Sequence, residues 1–436
     1  PQDGYDIIST IDVYIQDIAH HALLKQLEHY SADHGCVVVM ETKTGHIKAI
    51  SNLGRADDGS YYETQNYAIA ESHEPGSTFK LMDLIAVLDD KKADTSTVYD
   101  SKGGRIQYYG RSVKDSNGKG YGKISLARGF ELSSNTVLVQ SVYDSYKNNP
   151  KQFVDRINSY GLNKPLGLPI KGEGVPVIPQ PGTNRWSGVA LPWMAFGYGL
   201  SVTPLQTLTL YNAVANDGVM VKPIFVSEIK EWNKTIKKYN TEVINPKICS
   251  QETLDKVQAV LENVVKKGTG SKLYSKDFSM AGKTGTAQVN YKDKSKLYYA
   301  SSFVGYFPAD EPKYSCIIVV HKPNVAAGYY GADVAGPVFK RIAQKIFTDS
   351  PSMNHVKNID AKVVSQEKSY AEYYKKVEKE SNVVPNVKGM DGMDAVALLE
   401  NLGLKVKVKG VGRVKKQSLT SGQAFNKNQT IIIELS

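Results

Sequence analysis

Cysteine is scarce in this chain of 436 residues: Cys36, Cys249 and Cys316 make an odd number without CxxC spacing. That excludes a dense disulfide framework and any recognisable zinc site, and leaves at most one disulfide open. Cys36 and Cys316 fall in strand-like apolar runs, where a thiol serves as a buried packing group. The eight histidines lack HExxH or similar spacing, so no metal is expected. Long apolar runs are missing too. No stretch reaches the ~18 residues of a bilayer-spanning helix, and no signal peptide is visible. The chain starts at Pro1 without a Met, which reads as a processed or truncated product and leaves an upstream anchor open. Acidic excess is also absent. With 54 Lys and Arg against 44 Asp and Glu, the net charge is +10. That suits an anionic surface such as a membrane face, a wall polymer or nucleic acid, and equally an ordinary basic surface. The basic residues are spread out, and the densest segment is Lys405 to Lys416.

What is present is the composition and length of two or three globular domains. Residues 1 to 10 read as an extended lead-in. Asp12 can cap a helix whose apolar residues Ile15, Ile18, Ala19, Ala22, Leu23 and Leu27 follow helical spacing. Cys36 to Met40 and Ile47 to Ile50 read as strands joined by a turn at Lys43-Thr44-Gly45. Pro75-Gly76 breaks the chain before a helix from about Ser77 to Leu88. A mostly helical stretch reaches about residue 220, and a helix through Leu254, Val257, Val260, Leu261 and Val264 ends at Gly268. Strand-like runs follow at about 279–290, 299–307 and 313–321, then a helix to about Phe347. Early and late strands around a helical middle predict one antiparallel sheet flanked by helices. Residues 349–382 are polar and read as a linker. A small α+β unit follows: a helix near 391–402 and strands near 404–409, 412–418 and 429–435.

Ser77-Thr78-Phe79-Lys80 places a hydroxyl and an amine at i and i+3, one face of a helix. A serine is a weak nucleophile until a base takes its proton. A lysine can do so only if its ordinary pKa of ~10.4 falls to near 7, a change of about 4–5 kcal/mol that burial and a nearby cation can produce. S-x-x-K alone says little, because Ser116–Lys119, Ser227–Lys230 and Ser365–Lys368 share it. The context separates Ser77: Pro-Gly before it, an apolar helix after it, and two companions downstream. Ser133-Ser134-Asn135 offers a second hydroxyl for proton relay and an amide that both donates and accepts. Ser352-Met353-Asn354 shares that pattern. Lys283-Thr284-Gly285-Thr286 puts a cation and two hydroxyls on an apparent strand, suited to a carboxylate, with a glycine that admits a close backbone. Lys43-Thr44-Gly45 repeats three of its letters in a hairpin turn. A phosphate loop would need glycine where Asp277 stands.

The three motifs occur in order, 56 residues apart (77 to 133) and then 150 (133 to 283). Together they form the S-x-x-K, S-x-N, K-T-G signature of penicillin-recognising serine enzymes. Residues 1 to about 348 resemble the transpeptidase domain of class B penicillin-binding proteins, the FtsI-like peptidoglycan D,D-transpeptidases. Ile8 to Asp12, Phe196-Gly197-Tyr198-Gly199 with Ser201 to Gln206, and Gly331 to Phe339 add to the resemblance. Residues 383–436, from Val384-Pro385-Asn386-Val387 through Gly389-Met390 to Gly403-Leu404, resemble a PASTA domain. The resemblance implies an α+β fold: a central antiparallel sheet flanked by helices, an all-helical subdomain, and a small α+β PASTA domain. It divides the chain into residues 1–12 (the end of a pedestal), 13–348 (transpeptidase), 349–382 (linker) and 383–436 (PASTA).

The same resemblance assigns roles. Ser77 attacks the carbonyl between two D-alanines of a stem peptide, and an amine on a neighbouring strand then takes the acyl group. Lys80 is the base, Ser133 relays a proton, and Lys283 keeps Lys80 neutral. Asn135 binds the acyl side chain's amide; Thr284 and Thr286, flanking Gly285, bind the terminal carboxylate. The backbone N–H groups of Ser77 and Thr286 form the oxyanion hole. β-Lactams acylate Ser77. No cofactor is expected. The implied partners are lipid-II-derived peptidoglycan strands, β-lactam antibiotics, a lipid-II-polymerising glycosyltransferase and divisome proteins, with no nucleic acid. The implied location is the outer face of the cytoplasmic membrane, with the anchor outside this chain, in septal wall synthesis. The PASTA unit binds wall material or supports the catalytic domain. Two other readings stay open. A β-lactamase or D,D-carboxypeptidase would pass the acyl group to water; Glu173 stands at a tempting position, but the class A pattern E-x-x-L-N meets Pro176 and Val177. A penicillin sensor or wall-binding scaffold could keep the motifs without catalysis.

Overall fold

The computed structural model describes residues 4–232, 234–291, 293, 295–348 and 383–436. The chain divides into two compact units, Pro1–Pro351 and Ser352–Ser436. The linker expected at 349–382 lies outside the described residues.

The first unit opens with β1 (Asp6–Ser9). Asp12 then caps α1 (Val13–Tyr30), its carboxylate accepting from the N–H groups of Tyr14 and Ile15. Ile15, Ala19, Ala22, Leu23 and Leu27 form the buried stripe of α1. β2 (His34–Glu41) and β3 (Ile47–Arg55) make a hairpin whose turn needs Gly45 at φ 78°, and β4 (Tyr61–Tyr62) extends it. α2 (Tyr67–Ala70) leads to one 3₁₀ turn, Gly76–Thr78, and then to α3 (Lys80–Asp89). Every residue of α3 from Lys80 to Leu88 is buried, so it is the helix around which the unit packs.

The next segment holds β5 (Val98–Asp100), β6 (Arg105–Tyr108), β7 (Arg111–Lys114), β8 (Lys123–Ser125), α4 (Leu126–Glu131), α5 (Asn135–Tyr146), α6 (Pro150–Ser159), α7 (Ala190–Met194) and α8 (Pro204–Ala215). The subdomain expected as all-helical thus also carries two strand pairs, β5 with β8 and β6 with β7. The β6–β7 loop is two residues, Tyr109 and Gly110, both at positive φ. That is the backbone of a tight hairpin turn, here without the Asn-Gly or Asp-Gly letters that signal one in a sequence.

β9 (Met220–Val221), β10 (Val226–Glu231), β11 (Lys234–Lys238) and β12 (Val243–Asn245) make two small sheets, β1-β10-β11 and β9-β12. α9 (Gln251–Lys267) is capped by Ser250 and ends at Gly268. β13 (Ala281–Val289), β14 (Tyr298–Phe307), β15 (Tyr314–His321), α10 (Gly331–Val334) and α11 (Gly336–Thr348) complete the unit. The main sheet runs β13-β14-β15-β2-β3-β4, antiparallel throughout. The late strand β15 lies beside the early strand β2, with Cys316 opposite Val39 and Val319 opposite Cys36. All three cysteines are free and buried. β13 is an edge strand, and that edge carries the K-T-G run.

The second unit is α12 (Gly392–Asn401), β16 (Lys405–Lys409), β17 (Val414–Gln417) and β18 (Thr430–Leu435). Its sheet order is β16-β18-β17, closed over Val387, Leu399, Ile431 and Ile433. Among the described residues no helix is long and apolar enough to cross a membrane.

Candidate active site

Ser77 sits in the 3₁₀ turn just ahead of α3, half-buried at the floor of a cleft. The turn is built by close backbone packing. Gly76 has φ 55°, and its N–H donates to the Gly197 carbonyl at 3.1 Å. A β-carbon on Gly197 would stand 2.0 Å from the Gly76 carbonyl oxygen. From below, the Tyr211 hydroxyl on α8 donates to the Thr78 carbonyl at 2.8 Å. The position of Ser77 is therefore set by α8 and the 196–199 loop as much as by its own turn. Gly197→Ala is expected to push the Ser77 turn away from its neighbours and lower the acylation rate at least tenfold. A time course of labelled-penicillin incorporation checks this; a wild-type rate would show that the turn absorbs the methyl.

Lys80, at the start of α3, is fully buried. Its Nζ donates to the Ser133 carbonyl at 2.8 Å and to Asn135 Oδ1 at 2.6 Å, and lies 3.3 Å from Ser133 Oγ. Burial lowers its pKa to about 7, against a weaker upward pull from Asp115 and Asp83. Lys283 is also fully buried, on β13 with its Nζ 5.6 Å from the centre of the Phe130 ring. It donates to Ser133 Oγ at 2.8 Å and to the Thr284 carbonyl at 3.1 Å. Burial first, and Lys80 second, push Lys283 well below the usual lysine range. Burial is the main cause for both amines, and two ammonium groups flanking one hydroxyl would repel each other, so each favours the neutral form of the other. The Ser133 hydroxyl has an amine nitrogen on each side.

Ser133 is held at φ 55°, a left-handed conformation unusual for serine. Its N–H donates to the Phe130 carbonyl at 2.9 Å, and the residues that follow it are braced by Asp115, a buried carboxylate that the sequence did not single out. Asp115 accepts from Ser134 Oγ at 3.0 Å, from the Thr136 N–H at 3.0 Å and from Thr136 Oγ1 at 2.8 Å. Ser134 meanwhile caps α5 by accepting from the Val137 N–H. The amide of Asn135 is oriented by two bonds, accepting from Lys80 and donating to the Lys114 carbonyl at 2.7 Å. No short sequence pattern ties residue 115 to 134 and 136; the β6–β7 hairpin brings it there.

The K-T-G strand closes the other wall. Thr284 Oγ1 is 2.7 Å from Thr269 Oγ1, and Thr286 Oγ1 accepts from the Gly331 N–H at 3.0 Å. A β-carbon on Gly285 would come within 2.2 Å of Ser302 Oγ and 2.9 Å of the Thr78 methyl, so only glycine fits between the Ser77 turn and β14. Two adjoining clefts, about 580 Å³ and about 300 Å³, share Ser77, Ser116, Asn135, Thr286 and Tyr330. The larger is walled by Trp193, Phe196, Tyr198, Tyr291, Tyr299 and Tyr329, an aromatic surface that the sequence reading also missed.

The structure brings Ser77, Lys80, Ser133, Asn135, Lys283, Thr284 and Thr286 to one cleft and separates the lookalikes. Ser227–Lys230 lies in β10, and Lys43–Gly45 is the β2–β3 turn. Ser116 lines the cleft, but in a loop. Ser365–Lys368 and Ser352–Asn354 lie outside the described residues. Glu173 is engaged elsewhere: its carboxylate accepts from the N–H groups of Leu166, Gly167 and Leu168, closing its own loop.

An antiparallel sheet, a buried helix headed by a serine and two buried lysines meeting at a second serine define a serine–lysine site of the penicillin-recognising class. Residues 35–344 match the penicillin binding protein transpeptidase domain, and residues 382–436 match the PASTA domain. The chain belongs to the penicillin binding protein transpeptidase family and ends in a PASTA domain. It is 27% identical to stage V sporulation protein D of Bacillus subtilis, over 100% of this chain and 66% of the relative. It is 30% identical to the probable peptidoglycan D,D-transpeptidase PenA of Neisseria gonorrhoeae, over 78% of this chain and 56% of the relative. The chain thus spans between half and two-thirds of the length of these relatives. Among solved structures it resembles penicillin binding protein 3 of Mycobacterium tuberculosis complexed with aztreonam, with 27% identity, a TM-score of 0.69 and coverage of 79% of each chain.

Proposed function

We propose that this chain is the catalytic part of a peptidoglycan D,D-transpeptidase that cross-links stem peptides through an acyl-enzyme on Ser77. The observation that carries the reading is the Ser133 hydroxyl held between the Lys80 and Lys283 amines, at 3.3 and 2.8 Å. Lys80, neutral, takes the Ser77 proton as Oγ attacks the carbonyl between the terminal D-alanines. The oxyanion is met by the backbone N–H groups of Ser77 and Thr286, where one donor is worth about 3–4 kcal/mol. Ser133 passes the proton to the departing D-alanine amine, and the same path runs in reverse when an acceptor amine takes the acyl group. Lys283 orients the Ser133 hydroxyl. The free edge of β13 suits a peptide laid along it as an added strand. Thr284 and Thr286 receive its carboxylate, and Asn135 its amide. The aromatic wall receives the rest of the stem peptide.

Transfer to an amine is favoured over hydrolysis because Glu173, the candidate to activate water, is bound to three backbone N–H groups of its own loop. The aztreonam complex of the M. tuberculosis neighbour supports β-lactams as ligands here, with acylation of Ser77 as the proposed outcome. By the same reasoning the protein works at the outer face of the cytoplasmic membrane. Its partners are a glycosyltransferase that polymerises lipid II and other septal proteins. Division is the role suggested by the FtsI-like resemblance. A relative that aligns along the whole chain is named for sporulation, which favours spore-septum synthesis as a second reading.

Mass spectrometry after exposure to a labelled penicillin tests the assignment. One adduct is expected, on Ser77, persisting for many minutes and lost in Ser77→Ala. Labelling elsewhere, no labelling of folded protein, or rapid turnover would overturn it. D-Alanine release from a stem peptide in the presence of an amine acceptor then separates an enzyme from a sensor.

A further inference from the structure

Outside the cleft, a second group of polar side chains gathers at the end of the main sheet. His34 opens β2 and pairs in register with His321, the last residue of β15. Their rings stack at 4.4 Å with an interplanar angle of 10°. Glu71, just after α2, points between them. Its Oε2 lies 2.9 Å from His34 Nε2 and 3.7 Å from His321 Nε2. The ligand atoms of the three residues all fall within 4.8 Å of one another.

The hydrogen bonding around this group is incomplete. His34 Nδ1 lies 2.9 Å from Asp33 Oδ2, and donating to it leaves a lone pair on Nε2 facing the Glu71 carboxylate. Two acceptors at that distance need a cation between them. One proton would satisfy His34 alone. It leaves His321, which is 2% exposed, with Nε2 beyond hydrogen-bond reach of Glu71 and Nδ1 buried without a partner. His73, whose ring meets His321 edge-on at 5.1 Å, likewise has a buried Nδ1 with no partner. A histidine that donates one ring nitrogen to a carboxylate and keeps the other for a metal has the outer-shell support of a ligand, and His34 has it through Asp33.

We propose that His34, Glu71 and His321 bind a divalent transition-metal ion, zinc by the chemistry of the donors. Two imidazoles and one carboxylate form a borderline donor set, with a fourth position for water. Zinc needs ligand atoms about 2.0–2.2 Å from the metal, hence roughly 3–3.5 Å from one another. The ligand atoms here lie within 4.8 Å of one another, and the stacked imidazoles would have to turn out of their parallel arrangement to bring both Nε2 lone pairs onto one ion. The ion would tie the ends of β2 and β15 to the 71–76 segment, six residues ahead of Ser77, and so act as a structural clip. Positions 34, 71 and 321 follow no spacing rule, which is why a sequence reading expects no metal. The proposal is independent of the reaction assigned to Ser77.

Titration of the metal-stripped chain with Zn²⁺ by calorimetry, and with Co²⁺ by visible absorption, tests it. Expected are one ion per chain, a tetrahedral cobalt spectrum, and a melting temperature that rises with zinc concentration. Glu71→Gln and His34→Ala should each weaken Zn²⁺ binding at least 100-fold; Asp33→Asn, in the outer shell, should weaken it about tenfold. His34 is partly exposed at a strand end, so its variant is expected to fold, and circular dichroism checks that. A folded chain that takes up neither ion at about 100 μM, or whose uptake is the same in the variants, overturns the proposal.

Discussion

Lys80→Ala and Lys80→Arg are each expected to slow acylation of Ser77 by a penicillin about 10²–10⁴-fold, the usual contribution of a positioned general base. The arginine variant keeps the charge and much of the reach, but a guanidinium does not give up its proton at any working pH. Its failure would therefore separate a need for a neutral amine from a need for a cation. The wild-type profile carries the same information. Burial lowers the Lys80 pKa to about 7, so the amine is protonated and inactive below that value and free to accept a proton above it. The acylation rate should rise with pH, reach half its plateau near 7, and level off above. Stopped-flow acylation across the neutral range reads this directly. A flat profile, or a Lys80→Ala variant of normal rate, would remove Lys80 as the base.

Asp115→Ala is expected to cost about 3–5 kcal/mol of stability, because three donors lose a charged acceptor in a buried place. Asp115 is 4% exposed, and Ser134 Oγ, the Thr136 N–H and Thr136 Oγ1 all donate to it. The same loss should release the strained backbone at Ser133 and with it the hydroxyl between the two lysines, lowering acylation about tenfold or more even where the protein remains folded. Asp115→Asn keeps an acceptor oxygen and should cost about half as much as Asp115→Ala. Urea unfolding and the labelling rate of Ser77 check the two effects separately. If stability falls while the labelling rate of the folded fraction is unchanged, Asp115 serves the fold and not the site.

Much of the site could be read in the chain because its chemistry is written in short local runs. Ser77 and Lys80 are three residues apart, Ser133 and Asn135 two, and Lys283 to Thr286 are consecutive. Helix starts, strand alternation and turn residues could be read for a similar reason. Asp12, Ser250 and Gly268 act on atoms within a few residues of themselves. The β6–β7 hairpin was not legible, because Tyr109-Gly110 forms its turn without the usual letters. Nor was the aromatic wall, which draws on residues from 193 to 330 that share no period.

The sequence by itself therefore determined the strands of the main sheet and the helices around them, the three motifs and the family resemblance, since each rests on neighbours along the chain. The tertiary structure alone decided that Lys80 is buried and so brought to near neutrality, and that Asp115 braces the residues after Ser133. It alone gathered His34, Glu71 and His321 into one group. These are questions of which distant groups are pressed together and how far water is excluded from them. The pairing of β2 with β15 and the packing of α8 under the Ser77 turn settle both, and neither contact has a local signature.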